Sequence, residues 1–346
     1  MNKIRKIISA IIILIIILIF IVAMEIKHSN VASSYDDKIG TGLYVLSTYK
    51  MYYLSSDTYN VINQIKLNGA YDMTVGKKDK VYVPIYGYAN NAGNKIKVFK
   101  DGKVQNEITL KYTLPDKVRY NKYDKRAYIW YACKITSQEE NGITVIDTVN
   151  DTVVKHIKYN NCIEDIVFTD DNKMIVSAWG VTGGDWKLDV IDLKNDSIIK
   201  TISFKPKITS MEFVGNNLIY AVSTLLNEPY VYVIDYKKGK LVDKIKVSSK
   251  YRYKVCKVTV GGKEYIYVIH LNIDNNEGNI ISVIDPSIGK MVNRITGISS
   301  PNDLFFYNDK LLVSSWINNK IYVLENNEIV REINIQRPIR IMGITQ

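Results

Sequence analysis

Thr144-Val-Ile-Asp147, Asp189-Val-Ile-Asp192, Tyr232-Val-Ile-Asp235 and Ser282-Val-Ile-Asp285 are one short phrase written four times. Looser versions stand at Met51-Tyr-Tyr-Leu-Ser55, Ile96-Lys-Val-Phe-Lys100 and Tyr322-Val-Leu-Glu325. The last residues of the seven lie 45, 47, 45, 43, 50 and 40 positions apart. A period of this size marks an array in which each repeat is one supersecondary unit. Each phrase runs into a polar turn, such as Asn195-Asp196 or Lys238-Gly239, and then into an alternating strand such as Ile198-Ile-Lys-Thr-Ile202. A third strand follows, as in Glu164-Asp-Ile-Val-Phe168, and a fourth after a short hairpin, as in Lys173-Met-Ile-Val-Ser-Ala-Trp179. Four short strands per unit, with no helical period after residue 24, predict an all-β chain folded as a seven-bladed β-propeller. The last unit lacks a fourth strand, and Thr41-Gly-Leu-Tyr-Val-Leu-Ser47 has the pattern to supply it and close the ring.

The composition agrees with that fold. The 346 residues are 47% hydrophobic and 23% charged, with 7 Pro and 19 Gly, which excludes disorder, collagen and a small disulfide scaffold. Tyrosine, at 26 residues against 7 Phe and 4 Trp, suits half-buried strand surface. Cys133, Cys162 and Cys256 allow one disulfide at most, and the spacing does not say which.

Ile7 to Met24 is an uncharged run behind Lys3, Arg5 and Lys6, long enough to cross a bilayer core as a helix. The basic flank places the N-terminus in the cytoplasm and everything downstream outside. The expected layout is a transmembrane signal anchor at 1–24, a linker at 25–40 and the propeller at 41–346, a single-pass cell-membrane protein facing the extracytoplasmic side. A cleaved signal peptide, cut near Ala32 to Ser34, is the alternative. Taking Lys3, Arg5, Lys6, Lys27 and Glu25 away from the formal net charge of +11 leaves +8 outside. That is a mild bias toward anionic surfaces such as wall polymers or lipid head groups.

The units resemble the YVTN-type propeller repeat family, with Thr169-Asp-Asp-Asn172 as the hairpin and Asn279-Ile-Ile-Ser-Val-Ile-Asp285 as the Val-Ile-Asp strand. The resemblance covers 41 to 346 and implies an extracytoplasmic ring. It implies little about function, because propellers serve as enzymes, scaffolds and binding modules alike.

Catalytic signatures are sparse. Three histidines, His28, His156 and His270, leave few candidates for a triad or metal site, and no GxSxG, GxGxxG or GxxxxGK[ST] occurs. Asp274-Asn-Asn-Glu-Gly278 lacks the spacing of an EF-hand, and the sequons at Asn150 and Asn195 read as β-turns.

Geometry supplies the remaining candidates. In a propeller the starts of the innermost strands and the ends of the second strands gather on one face around the channel. Aligning the units puts Asp72, Lys117, Asp165, Ser210, Lys257, Asp303 and Arg340 at the channel mouth, as an ion-paired ring. The second-strand ends bring Tyr86, Trp179, His270 and Trp316 to a rim, beside the longest loops: Gly180 to Asp185, Tyr88 to Asn94, Ile135 to Asn141 and Leu271 to Gly278. Aromatic rims of this kind stack on sugars or clamp peptides. The expected function is a membrane-tethered, non-catalytic binding or scaffold module for a protein or cell-surface polymer, with no cofactor, no metal and no nucleic-acid partner. The oligomeric state is open. The alternative is a metal-dependent hydrolase resembling the seven-bladed lactonases, for which Pro301-Asn-Asp303 offers Asp303 as a ligand; Lys117, Lys257 and Arg340 beside a divalent ion would repel it.

Overall fold

The computed structural model describes residues 42–88, 91–133, 141–180, 186–224, 228–271 and 279–344. They form seven four-stranded antiparallel sheets, the blades of a propeller. Blades 1 to 6 take residues 74–109, 115–158, 162–203, 210–246, 252–295 and 301–334, and blade 7 joins 338–343 to 42–66. Blade 3 shows the plan: Cys162–Phe168 lies innermost, then Lys173–Trp179, Trp186–Asp192 and, outermost, Ser197–Ser203. In blade 7 the innermost strand is Pro338–Gly343 and the next is Gly42–Ser47, with Leu43 opposite Gly343 and Val45 opposite Ile341. The N-terminal strand therefore fills the gap left by the last repeat.

The Val-Ile-Asp phrase is explained residue by residue. Val145, Val190, Val233 and Val283 each pack into the interface with the following blade, while Ile146, Ile191, Ile234 and Ile284 pack into the interface with the preceding one. A strand sandwiched on both faces cannot alternate apolar with polar, so adjacent aliphatics recur. Burying each stabilises by about 1.5–3 kcal/mol. The Asp then caps the turn. Asp147 Oδ1 accepts the N–H groups of Val149 at 2.7 Å and Asn150 at 3.3 Å, and Asp192, Asp235 and Asp285 accept those of Lys194, Lys238 and Ser287 at 2.9–3.0 Å. The turns end on Asp151, Asp196, Gly239 and Gly289, all with φ between 58° and 71°, a conformation that Asp, Asn and Gly tolerate best.

Seven hydrophobic clusters fill the seven interfaces, including the one between blade 7 and blade 1, where Tyr44, Leu46 and Met51 meet Val81, Val83 and Phe99. An open array of seven blades would have six. Tyrosine adds polar stitches between buried rings and chain: Tyr82 Oη donates across blades to the Thr148 carbonyl at 3.0 Å, and Tyr159 Oη, in the connection between blades 2 and 3, donates to Asp189 of blade 3 at 2.6 Å.

The only helix among the described residues is the single turn Lys77–Asp79, and none is long and apolar enough to cross a membrane. The anchor and linker read at 1–24 and 25–40 lie outside the described residues.

Candidate functional site

One hydrogen bond repeats around the channel and defines its register. Asp72 Oδ2 accepts from Val118 N at 3.1 Å, Asp165 Oδ2 from Met211 N at 2.8 Å, Ser210 Oγ from Val255 N at 3.2 Å and Asp303 Oδ2 from Ile341 N at 2.9 Å. Each bond ends one residue past the equivalent position of the next blade. The ring is thus Asp72, Lys117, Asp165, Ser210, Lys254, Asp303 and Arg340. This corrects the sequence alignment at one place, since Lys254 and not Lys257 occupies the fifth blade's position. The inner strand Arg252–Val260 carries a bulge between Arg252 and Lys254, and Lys257 falls farther along it, paired with Glu264 at 3.0 Å.

The ring neutralises itself. Arg340 Nε lies 2.8 Å from Asp72 Oδ1 and its Nη1 lies 3.1 Å from Asp303 Oδ1, to which Lys254 Nζ also pairs. Arg119, two residues after Lys117, grips Asp165 with Nη2 at 3.1 and 3.3 Å and reaches Glu212 with Nη1 at 3.6 Å. Burial works against the charge on Lys254 and Arg119, but the carboxylates of Asp303 and Asp165 outweigh it and hold both bases protonated. Arg119 and Glu212 were missed in the sequence because only one residue per inner strand was compared.

A second ring lies beside the first. The residue before each member is Tyr71, Asp116, Glu164, Thr209, Tyr253, Asn302 and Ile339, and all seven line a cavity of about 260 Å³ at the mouth. Bulges re-aim five of them, because the register shifts around Asp116, Glu164, Tyr253, Asn302 and Ile339. Tyr71 and Tyr253 are 42% and 43% exposed. Asn302 braces the mouth, donating to the carbonyls of Pro338 and Ile339 at 3.1 and 3.0 Å. Burial first, then repulsion from Asp72 and Glu164, pushes the Asp116 carboxyl above its usual range, against the opposing pull of Lys117.

The four rim candidates divide. His270 is fully buried, with Nε2 2.8 Å from Ser282 Oγ, so it supports the core and is no part of an accessible rim. Trp179 is half-buried: its Nε1 donates to Glu164 at 2.9 Å, its ring lies 5.6 Å from that of Trp186, and Lys207 sits over both rings. Tyr86, half-buried, meets Tyr71 edge-on at 5.6 Å. Trp316 is 39% exposed beneath the guanidinium of Arg337. Most of the loops expected to flank this rim, and Asp274 to Gly278 with them, lie outside the described residues.

Cys133 and Cys162 form a disulfide with Cα atoms 4.9 Å apart, tying blade 2 to blade 3 beside Glu164. Cys256 is buried and free, its thiol pushed up to about 12 by burial. Among the described residues no group of three or more His, Cys, Asp and Glu is placed to hold a metal ion.

Neither a family model nor a curated protein matches the chain. Solved structures do. A functionally unknown protein from Desulfotomaculum acetoxidans matches at TM-score 0.67 and 12% identity over 88% of this chain and 98% of its own. Kuenenia stuttgartiensis hydrazine synthase matches at 0.62 and 14%, over 83% of this chain and 93% of the other. Dihydro-heme d1 dehydrogenase NirN, in complex with DHE, matches at 0.59 and 11%, over 87% of this chain and 65% of that one. At such identities the likeness is one of fold: this chain is a seven-bladed β-propeller.

Proposed function

We propose that the protein is a YVTN-type, membrane-tethered propeller outside the cytoplasm that recognises a protein or cell-surface polymer at its channel mouth without turning it over. The observation that carries this is the division of labour between the two rings. The charged ring is spent on itself and on the neighbouring backbone, and the ring before it turns exposed Tyr71 and Tyr253 and polar side chains into the cavity. Such a surface offers shape, stacking and hydrogen bonds. Among the described residues, the Thr209 and Ser210 hydroxyls there are engaged by backbone, Thr209 Oγ1 donating to the Val222 carbonyl and Ser210 Oγ accepting from Val255 N–H.

The repeat phrase and its capped turns support the family reading. The apolar run from Ile7 to Met24 with its basic flank supports the tether, and the Cys133–Cys162 disulfide suits an oxidising compartment. The strand Gly42–Ser47 starts at the end of the sheet opposite the mouth, where Gly42 faces Ser55. The hydrolase alternative needs Asp303 as a metal ligand, yet Lys254 and Arg340 hold its Oδ1 and Ile341 N–H its Oδ2.

The test combines topology with capture. Protease added to intact cells should digest the propeller while the chain fractionates with membranes. Tyr71→Ala and Tyr253→Ala should each abolish sedimentation with isolated cell envelope at unchanged melting temperature. Metal-dependent ester or lactone hydrolysis lost in Asp303→Ala would overturn the reading in favour of the hydrolase.

A further inference from the structure

The mouth contains two polar groups without a partner among the described residues, and a third, a cation, that reaches only a neutral acceptor. Glu164 is satisfied by Trp179 and by Lys207 at 2.5 Å, and the three ring aspartates by Arg340, Arg119 and Lys254. Asp116 is left with no hydrogen bond or ion pair among the described residues. Lys117, next in sequence, reaches only a neutral acceptor, the Glu164 carbonyl at 2.9 Å. Trp130, directly across the ladder from Lys117 and 1% exposed, has a buried indole N–H with no partner among the described residues. An unpaired buried donor destabilises, so a ligand that answers it is favoured by what is recovered.

Sign and position then specify the complement. A cation is wanted at Asp116, and an anionic or carbonyl oxygen at the Lys117–Trp130 pair one ladder rung away. The cavity, about 260 Å³, holds roughly nine waters' worth of volume at about 30 Å³ each and falls short of the roughly 300 Å³ at which drug-sized pockets begin. A small head group fits it.

Resting on the reading of the mouth as a binding site, we propose that its innermost pocket takes an α-amino acid head group, ammonium on Asp116 and carboxylate on Lys117 Nζ and Trp130 Nε1. The head group is either a free amino acid or one borne at the end of a longer chain that passes out between Tyr71 and Tyr253. The two sources share this chemistry, and a tail distinguishes them.

The experiment is calorimetric titration of the full-length chain with four probes: L-alanine, Nε-acetyl-L-lysine, Nα-acetyl-L-alanine and L-alaninamide. The first two should bind, and the blocked forms at least about tenfold weaker, a difference of about 1.4 kcal/mol. Tighter binding of Nε-acetyl-lysine than of alanine identifies a chain-borne head group; equal binding identifies the free amino acid. Asp116→Asn should erase the penalty for Nα-acetylation, and Trp130→Phe should erase most of the penalty for amidation. Asp116 makes no contact that the fold uses, so its variant reads out even where Trp130→Phe is unstable. Equal binding of blocked and unblocked probes, or no probe tighter than about 1 mM, overturns the proposal. If envelope still sediments the chain through Tyr71 and Tyr253 while the probes fail, the head-group assignment falls alone; if neither binds, the mouth is no binding site.

Discussion

The outer turns and the channel mouth of this propeller obey opposite rules. At the turns after the third strands, Asp147, Asp192, Asp235 and Asp285 do the same work in four blades and the sequence repeats. At the mouth, equivalent positions hold Asp, Lys, Asp, Ser, Lys, Asp and Arg, and no two neighbours agree. A turn is a local problem that each blade solves alone. The mouth is one place where seven strands converge, so each contributes a different part to a single arrangement. Departure from the repeat therefore points to the shared site, as conformity points to the scaffold.

The contrast breaks first if the ring is not closed as described. Deleting residues 29–47 removes the second strand of blade 7 with Tyr44 and Leu46, uncovers Met51 and the facing Val81, Val83 and Phe99, and exposes the edge of Pro338–Gly343. The product should aggregate or fail to fold in size-exclusion chromatography. A monomer with the melting temperature of the full chain would refute closure by this strand.

Next in size is the buried ion pair. Asp165→Ala leaves Arg119 without its bidentate partner and Met211 N–H without an acceptor, both inside the mouth. The expected loss is about 3–5 kcal/mol in denaturant unfolding. A loss near that of a surface substitution would mean the ring is solvated and loosely held.

The turns should cost less. Asp147→Ala deletes three exposed short-range acceptor bonds, together worth about 1 kcal/mol in the same measurement. Asp285 adds a pH signature: Lys263 at 2.5 Å, with Ser287, holds its carboxyl down at about 2. A depressed folded value stabilises above the ordinary aspartate range and is lost as pH falls through about 2. The melting difference between Asp285→Asn and the wild type should accordingly be widest near neutrality and close in strong acid. A difference independent of pH would assign it to turn geometry alone.

Smallest on stability, and largest on capture, are Tyr71→Ala and Tyr253→Ala, for which unfolding should change by about 0.5 kcal/mol or less. Trp179→Ala sharpens the distinction. Its indole is packed on Trp186 and bonded to Glu164, so truncation should lower stability before it touches binding. Greater loss of capture than of stability in Trp179→Ala would return it to the rim.

Legibility in the sequence follows the same division. Blade number, strand order and closure were readable because Val, Ile and Asp each answer a need that recurs in every blade. The column of Asp72, Lys117, Asp165, Asp303 and Arg340 was readable by counting along the repeat. Counting failed at Lys257 because a bulge at the start of Arg252–Val260 shifts the register, and a bulge leaves no mark on spacing. The second ring from Tyr71 to Ile339 was invisible largely for the same reason: bulges, and not residue types, re-aim five of its seven members. His270 misled because a second-strand end can face the neighbouring blade as readily as the channel, and its partner Ser282 belongs to the next strand over.

Recognition at the mouth is a statement about where contact is made. Amide hydrogen exchange of the full-length chain, with and without isolated cell envelope, reads that out strand by strand. Slowed exchange confined to the inner-strand starts at 71–72, 116–118, 164–166 and 253–255, with the hairpins around Asp171, Asn217 and Asn308 on the opposite face unchanged, is the predicted result. Protection on that opposite face or along the outer strands, with the mouth exchanging as before, would contradict it.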